Sequence, residues 1–335
     1  MVSVYSVTHF LVDFSCAFLM FRSVIGTADG YLCVLFYNFC AFAMQMPLGI
    51  LADKWNRNYL FAAIGCVLVG TAYGLWQFPV AVAFIAGIGN GMFHVGGGID
   101  VLNISEKKSG ALGIFVSPGA FGIYFGTMLG KGNELTGFPI LLSLLVAASL
   151  IIFVRCTQGG EYVNNVSFSL SGGTSSRMLT AAVFLFLVVC LRSYVSLTLS
   201  FPWKGAGYWA VALVCAVVFG KTAGGLAADR FGTIRIACVS LGVAMLLFLI
   251  PQIPAAGILS MLLFNMTMPI TLWAMARIFP GAKGFSFGLL TFGLFLGFLP
   301  VHLDANTLFS TPWLFALAAA ASLVLLCVSL RKARL

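Results

Sequence analysis

The chain has 335 residues, 61% of them hydrophobic and only 8% charged, with a formal net charge of +9 and a mean hydropathy of +1.06. So apolar a composition excludes a soluble domain and places the chain in a lipid bilayer. The excess of positive charge is spread over many short loops, so the pI near 9.2 points to no nucleic-acid partner.

Apolar runs of about 20 residues, the length a helix needs to cross a ~30 Å hydrocarbon core, recur along the whole chain. They predict twelve helical spans, at 2–28, 31–52, 59–77, 79–102, 109–130, 137–156, 177–200, 207–228, 234–252, 254–279, 284–303 and 311–330. No basic region precedes the first span, and His9 and Asp13 interrupt its apolar part, so it reads as a retained helix and not as a cleaved signal peptide. Nine cysteines are scattered without a C-x-x-C pair and read as small apolar filler.

In the first span Ser6, His9 and Asp13 share one helical face at i, i+3 and i+7 spacing. The second carries Asn38 and Gln45, polar glue between helices, and ends in the loop "GILADKWNRN" from Gly49. The fourth contains "NGMFHVGGGID", residues 90 to 100. Asn90 lies near its middle and His94 one turn on, on the same face. Three consecutive glycines, Gly96, Gly97 and Gly98, each lower helix propensity by about 1 kcal/mol relative to alanine. They would either unwind this span beside a ligand or let a neighbouring helix pack closely.

The fifth span holds Gly113, Ser117, Pro118, Gly122 and Gly126. After the sixth, "TQGGEYVNNVSFSLSGGTSSR" from Thr157 to Arg177 is the one long polar stretch and predicts a flexible linker. Span 7 contributes Arg192 and Tyr194, and Lys221 in span 8 sits a turn before a second loop, "GLAADRFGTIR" from Gly225. Arg192 falls in the outer half of its span, where it either snorkels to water or faces inward to receive an anionic group. Span 10 supplies Asn265 and Trp273.

The loops and ends that alternate with these spans hold Lys54, Arg57, Lys107, Lys108, Arg155, Arg177, Arg230, Arg235, Arg277, Lys283, Arg331, Lys332 and Arg334 on one side, thirteen of the eighteen basic residues. Lys131 and Lys204 are on the other. The positive-inside rule then puts both termini in the cytoplasm. The two loops also match each other: both read G-x-x-x-D-[KR], with Asp53 and Asp229 offset by 176 residues, while at 175 Asn90 meets Asn265, Lys108 meets Lys283, Gly113 meets Gly288 and Gly122 meets Gly297. A duplicated six-helix unit follows, with halves at 1–156 and 177–335 and a linker at 157–176.

Twelve spans, a 6+6 repeat, a central linker and G-x-x-x-D-[KR] loops after spans 2 and 8 resemble the major facilitator superfamily over the whole chain. The family's loop is usually G-x-x-x-D-R-x-G-R-[RK]; the first copy has Asn56 where glycine is expected, and the second keeps Gly232. Gly113, Gly122 and Gly126 match part of an antiporter signature, with Thr127 where its proline would stand. "GNGMFHVGGG" is similar to the fosmidomycin-resistance-like branch.

The resemblance implies an all-α fold of two pseudo-symmetric six-helix bundles. Spans 1, 4, 7 and 10 would line a central cavity, making Asn90, Gly97, Arg192, Tyr194, Asn265 and Trp273 substrate-binding candidates. Gly49, Asp53, Lys54, Arg57, Asp100, Gly225, Asp229 and Arg230 would form a conformational latch, with Asp100 paired to Lys54 or Arg57. Asp13, with His9 and His94, is the candidate proton-coupling group, because an ionisable side chain in mid-bilayer is costly and usually faces a cavity or a partner. Pinning spans 1 and 4 together is the plainer use of the same residues. His9, Asp13 and His94 are also a ligand set for a divalent transition metal.

The expected function is secondary active transport of a small molecule, proton-coupled export, by a monomer in the plasma (inner) membrane. Uncoupled facilitation and metal export are the alternatives. No P-loop or H-E-x-x-H occurs, so neither nucleotide-driven transport nor an enzyme is expected, and no cofactor.

Overall fold

The computed structural model describes residues 1–105, 108–132, 136–158, 166–170, 175–205, 207–304 and 311–335. Among them there is no strand. Eleven helices are long and apolar enough to cross a bilayer: α1 Val2–Val24, α2 Gly30–Trp55, α3 Asn58–Leu75, α4 Pro79–Ile104, α5 Gly110–Lys131, α6 Gly137–Thr157, α7 Ser176–Thr198, α8 Trp209–Phe231, α10 Pro254–Ile278, α11 Lys283–His302 and α12 Pro312–Ala333. The ninth expected span is a shorter helix, α9 Thr233–Leu247, continued by single turns as far as Ile250 and Ile253. Much of the expected linker, 159–165 and 171–174, lies outside the described residues.

Contacts group the chain into two units. The first comprises Met1–Glu106, Pro118–Phe168 and Gly281–Phe292; the second comprises Lys107–Ser117, Ser169–Pro280 and Gly293–Leu335.

In the first unit, glycines set how closely helices approach. Gly122, Gly126 and Gly130 of α5 lie against the backbone of Phe10, Phe14 and Phe18 on α1, where an added Cβ would overlap their carbonyl oxygens. Both sets recur every four residues, so a single small-residue row of α5 seats on one row of α1. Gly65 of α3 and Gly89 of α4 meet in the same way, and Gly96 lies against Asn58 and Ala62. Span 4 therefore does not unwind at its glycines: α4 is continuous from Pro79 to Ile104, and Gly96 serves close packing.

Irregular turns occur where the backbone has found another partner. A π-turn at Phe39–Ala43 breaks the regular ladder of α2, and the Gln45 amide donates to the Ala41 carbonyl there at 2.5 Å. In α5 the regular ladder stops at Ser117, next to Pro118, which lacks an N–H. Within the second unit the Lys221 ammonium donates to the Val116 carbonyl at 3.2 Å, and the Ser117 and Thr222 hydroxyls share a 2.7 Å bond. Lys221 thus ties α8 to the backbone of α5 beside this break. α10 breaks at Met266, directly after Asn265 and three residues before Pro269, whose ring displaces the Asn265 carbonyl from the ladder.

Candidate functional site

The first unit brings three of the sequence's ionisable residues together. His9 Nε2 lies 3.2 Å from Asp13 Oδ2, one turn along α1. From α4, His94 Nε2 reaches 2.9 Å from His9 Nε2 and 3.6 Å from Asp13 Oδ1. The Asn90 amide donates to Asp13 Oδ1 at 3.1 Å and approaches Cys16 Sγ at 3.7 Å. All four polar residues are buried, Asp13 at 9% exposure and Asn90 at 2%.

Hydrogen-bond chemistry fixes where the protons sit. His94 Nδ1 is 2.8 Å from the Asn90 carbonyl, which only accepts, so Nδ1 carries the hydrogen and a neutral His94 presents a lone pair at Nε2. His9 Nε2, facing that lone pair, is then the donor, and its N–H is shared with the Asp13 carboxylate. In the other tautomer of His9, with its hydrogen on Nδ1, two imidazole lone pairs and a carboxylate point at one spot. The three ligand atoms lie within 4.8 Å of one another. One arrangement therefore serves a transferable proton or a small cation.

Gly119 was not legible as a site residue. An added Cβ there would overlap both Asp13 Oδ2 and His9 Nε2, so α5 closes one side of the cluster with a bare backbone. Asn90 Oδ1 is buried and accepts no hydrogen bond from any described residue.

The remaining candidates are dispersed. Gly97 is buried within uninterrupted α4. Asp100 accepts from the Tyr5 hydroxyl at 2.6 Å, with Asn58 beside it and Arg155 the basic group whose charge reaches it. Its partner is thus the Tyr5 phenol, in place of the expected Lys54 or Arg57. Lys54 instead lies over the Phe168 ring at 5.3 Å, and Arg57 precedes the first turn of α3.

The acids of the two matching loops do the same thing. Asp53 accepts from the backbone N–H groups of Gly284 and Phe285, at 2.8 and 2.9 Å, at the start of α11. Asp229 accepts from those of Ser109 and Gly110, at 2.6 and 2.8 Å, and from the Ser109 hydroxyl at 3.1 Å, at the start of α5. Each carboxylate caps orphan donors at the positive end of a helix dipole. Gly49 lies against the backbone of Gly284, and Gly225 against that of Ser109, so no side chain intervenes at either crossing. Arg230 stacks at 5.4 Å over its neighbour Phe231. Asn56, at the position where the second copy has Gly232, adopts φ 53°, and Gly232 adopts φ 93°; asparagine is among the few residues that tolerate this region.

In the second unit, Arg192 is 6% exposed and its Nη1 has no hydrogen-bond partner, which removes the snorkelling alternative. Tyr194 is partly buried on the same helix. Asn265 donates back to the Met261 carbonyl at 2.8 Å, just before the break in α10. The Trp273 ring lies under Arg277 at 5.8 Å, with its indole N–H unbonded.

No family model matches the chain. The uncharacterized MFS-type transporter YcaD of Salmonella enteritidis PT4 (strain P125109) is 26% identical over 249 residues, 67% of this chain. The match spans 64% of that relative's own length. Among solved structures, the human organic anion transporter MFSD10 aligns at a TM-score of 0.71 and 16% identity, over 98% of each chain. The E. coli fucose:proton symporter FucP aligns at 0.67 and 14%, over 99% of this chain and 97% of its own. These likenesses give the chain the fold those transporters share. All three relatives are named as transporters and none as an enzyme.

Proposed function

We propose that this protein, a member of the major facilitator superfamily, is a secondary transporter that moves a small molecule across the membrane by alternating access and couples the movement to protons, in the direction of export. On this reading twelve spans form two bundles, 1–156 and 177–335, joined by a linker at 157–176. The protein works as a monomer in the plasma (inner) membrane with both termini cytoplasmic.

One observation supports the coupling: the ionisable atoms of Asp13, His9 and His94 lie 2.9 to 3.6 Å apart in a buried cluster formed by two helices. Buried ionisable groups at such depth are expensive, and one that only joined two helices would be replaced cheaply by small residues. Asn90, Gly97, Arg192, Tyr194, Asn265 and Trp273 are the substrate-binding set. The two helix-capping loops, with Gly49, Asp53, Lys54, Arg57, Gly225, Asp229 and Arg230, act as the latch, and Asp100 supports the first of them through α4. Carboxylates held by backbone N–H groups, joined at Asp229 by the Ser109 hydroxyl, can release them without leaving a buried ion pair broken, which suits a contact that must open in every cycle.

The test uses vesicles of reconstituted protein loaded with a pH-reporting dye. Substrate-evoked proton movement that Asp13→Asn abolishes, while exchange of the substrate itself persists, is the expected result. Gradient-driven accumulation unchanged by the substitution would sink the coupling role. Export is supported only by the antiporter-like glycines, and Gly122 and Gly126 of that set also have the packing role against α1 described above.

A second reading has its own observation. With His9 Nε2 deprotonated, two imidazole nitrogens and one carboxylate converge, and the Asn90 carbonyl fixes the tautomer of His94 as outer partners of metal ligands do. A divalent transition metal is then the cargo. Saturable binding of manganese or zinc by the purified protein, lost in His94→Asn, would favour it over proton coupling.

A further inference from the structure

Arg192 is a buried ionisable group that the coupling cluster does not use. It lies on α7, sixteen residues from Ser176 and six from Thr198, hence about 9 Å along the axis from the nearer end of the helix. Its side chain is enclosed by protein at 6% exposure. Among the described residues it makes no hydrogen bond and no ion pair, and Nη1 is buried without a partner. The acids of the membrane-spanning helices are engaged elsewhere: Asp13 with two imidazoles and Asn90, Asp53 and Asp229 with helix N-termini, and Asp100 with Tyr5.

A guanidinium kept only as helix glue would spend its five donors on nearby carbonyls, as Lys221 does with Val116. Arg192 spends none. Around it, the buried face of α7 is aliphatic, with Leu185, Val188, Val189 and Val195. The chain has thus buried one uncompensated, fork-shaped donor among packed aliphatic side chains, and the group that completes it must bring a planar or tetrahedral oxyanion.

We propose that Arg192 is the receptor for the anionic head of the transported substrate, a small organic acid whose carboxylate, sulfonate or phosphate binds the guanidinium. This rests on the transport reading for calling the anion cargo; the binding itself is measured without transport.

The experiment is thermal unfolding of the purified full chain in detergent, with benzoate, benzenesulfonate, phenyl phosphate or inorganic phosphate added, and with neutral benzamide and cationic benzamidine as shape-matched controls. We expect at least one organic oxyanion to raise the Tm by about 2 °C or more while neither control does. Arg192→Met should unfold no earlier than the native protein in the absence of probe, because it removes a buried charge that nothing offsets, and it should lose the anion response. Arg192→Lys should keep a weaker one.

The site is overturned if no oxyanion shifts the native protein, if benzamide or benzamidine protects equally, or if Arg192→Met retains the shift. Protection by inorganic phosphate alone would overturn the organic cargo. Early unfolding of Arg192→Met would assign the guanidinium a structural role instead. Anion protection without substrate-evoked proton movement in vesicles would leave this site standing and remove only the coupling role of Asp13. Proton movement without anion protection would do the reverse.

Discussion

A single backbone atom decides how tightly the coupling cluster is held. Gly119 faces His9 Nε2 and Asp13 Oδ2 so closely that even a methyl group requires the cluster to move. Distances of 2.9 to 3.6 Å between the three groups leave little slack for proton sharing. Gly119→Val is therefore expected to lower the initial rate of substrate-evoked proton movement by about 10- to 100-fold, whereas Gly132→Ala, just past the end of the same helix, where an added Cβ meets only the Leu129 carbonyl at an ordinary 3.5 Å, should leave it unchanged. Equal rates in both variants would show that α5 does not shape the site. His9, Asp13, Asn90 and His94 were legible in the sequence because helical spacing puts each pair on one face. Gly119 was not, because what it contributes is missing atoms, and those matter only once the register of α5 on α1 is known.

At the scale of elements, the two loops show which parts of a motif can be read without coordinates. The positions of Asp53 and Asp229, at the ends of α2 and α8, follow from the motif alone, but their partners do not. Backbone N–H groups leave no signature in side-chain sequence, so the caps on α11 and α5 could not be anticipated, and Asp100 drew the expectation of a basic partner that Tyr5 fills. The same limit applied to the glycines of α4, since composition cannot distinguish unwinding from close packing against α3. Replacing either Asp53 or Asp229 by alanine should cost about 0.5–2 kcal/mol in unfolding free energy, the range for losing a helix cap. Asn56 offers a cleaner backbone test. Its φ of 53° predicts that Asn56→Gly is tolerated, while Asn56→Val loses about 1–2 kcal/mol, read as a fall in thermal midpoint of the purified protein. An unchanged midpoint for valine would mean that the loop relaxes to a right-handed conformation.

Across the whole molecule, the repeat read at offsets of 175 and 176 residues is carried by paired roles: Asp53 and Asp229 cap helices, Gly49 and Gly225 admit a close crossing, and Gly113 and Gly288 each lie against another helix's backbone. Span number was harder to read, because the run expected at 234–252 becomes a helix of 15 residues, about 22 Å long against a ~30 Å hydrocarbon core. Whether α9 and the turns that follow it cross the bilayer decides where the chain ends. Twelve crossings return the C-terminal Arg331, Lys332 and Arg334 to the face of the N-terminus, as the distribution of basic residues requires, whereas eleven would leave them opposite. Single cysteines in place of Ser3 and Arg334, in a chain whose exposed Cys156 and Cys238 are serine, should both react with an impermeant maleimide only in inverted vesicles. A cysteine at Lys204 should react only in right-side-out ones. Labelling of the two ends from opposite faces would mean that α9 turns back within the membrane, and the matching loops after α2 and α8 would then belong to units with unequal numbers of crossings.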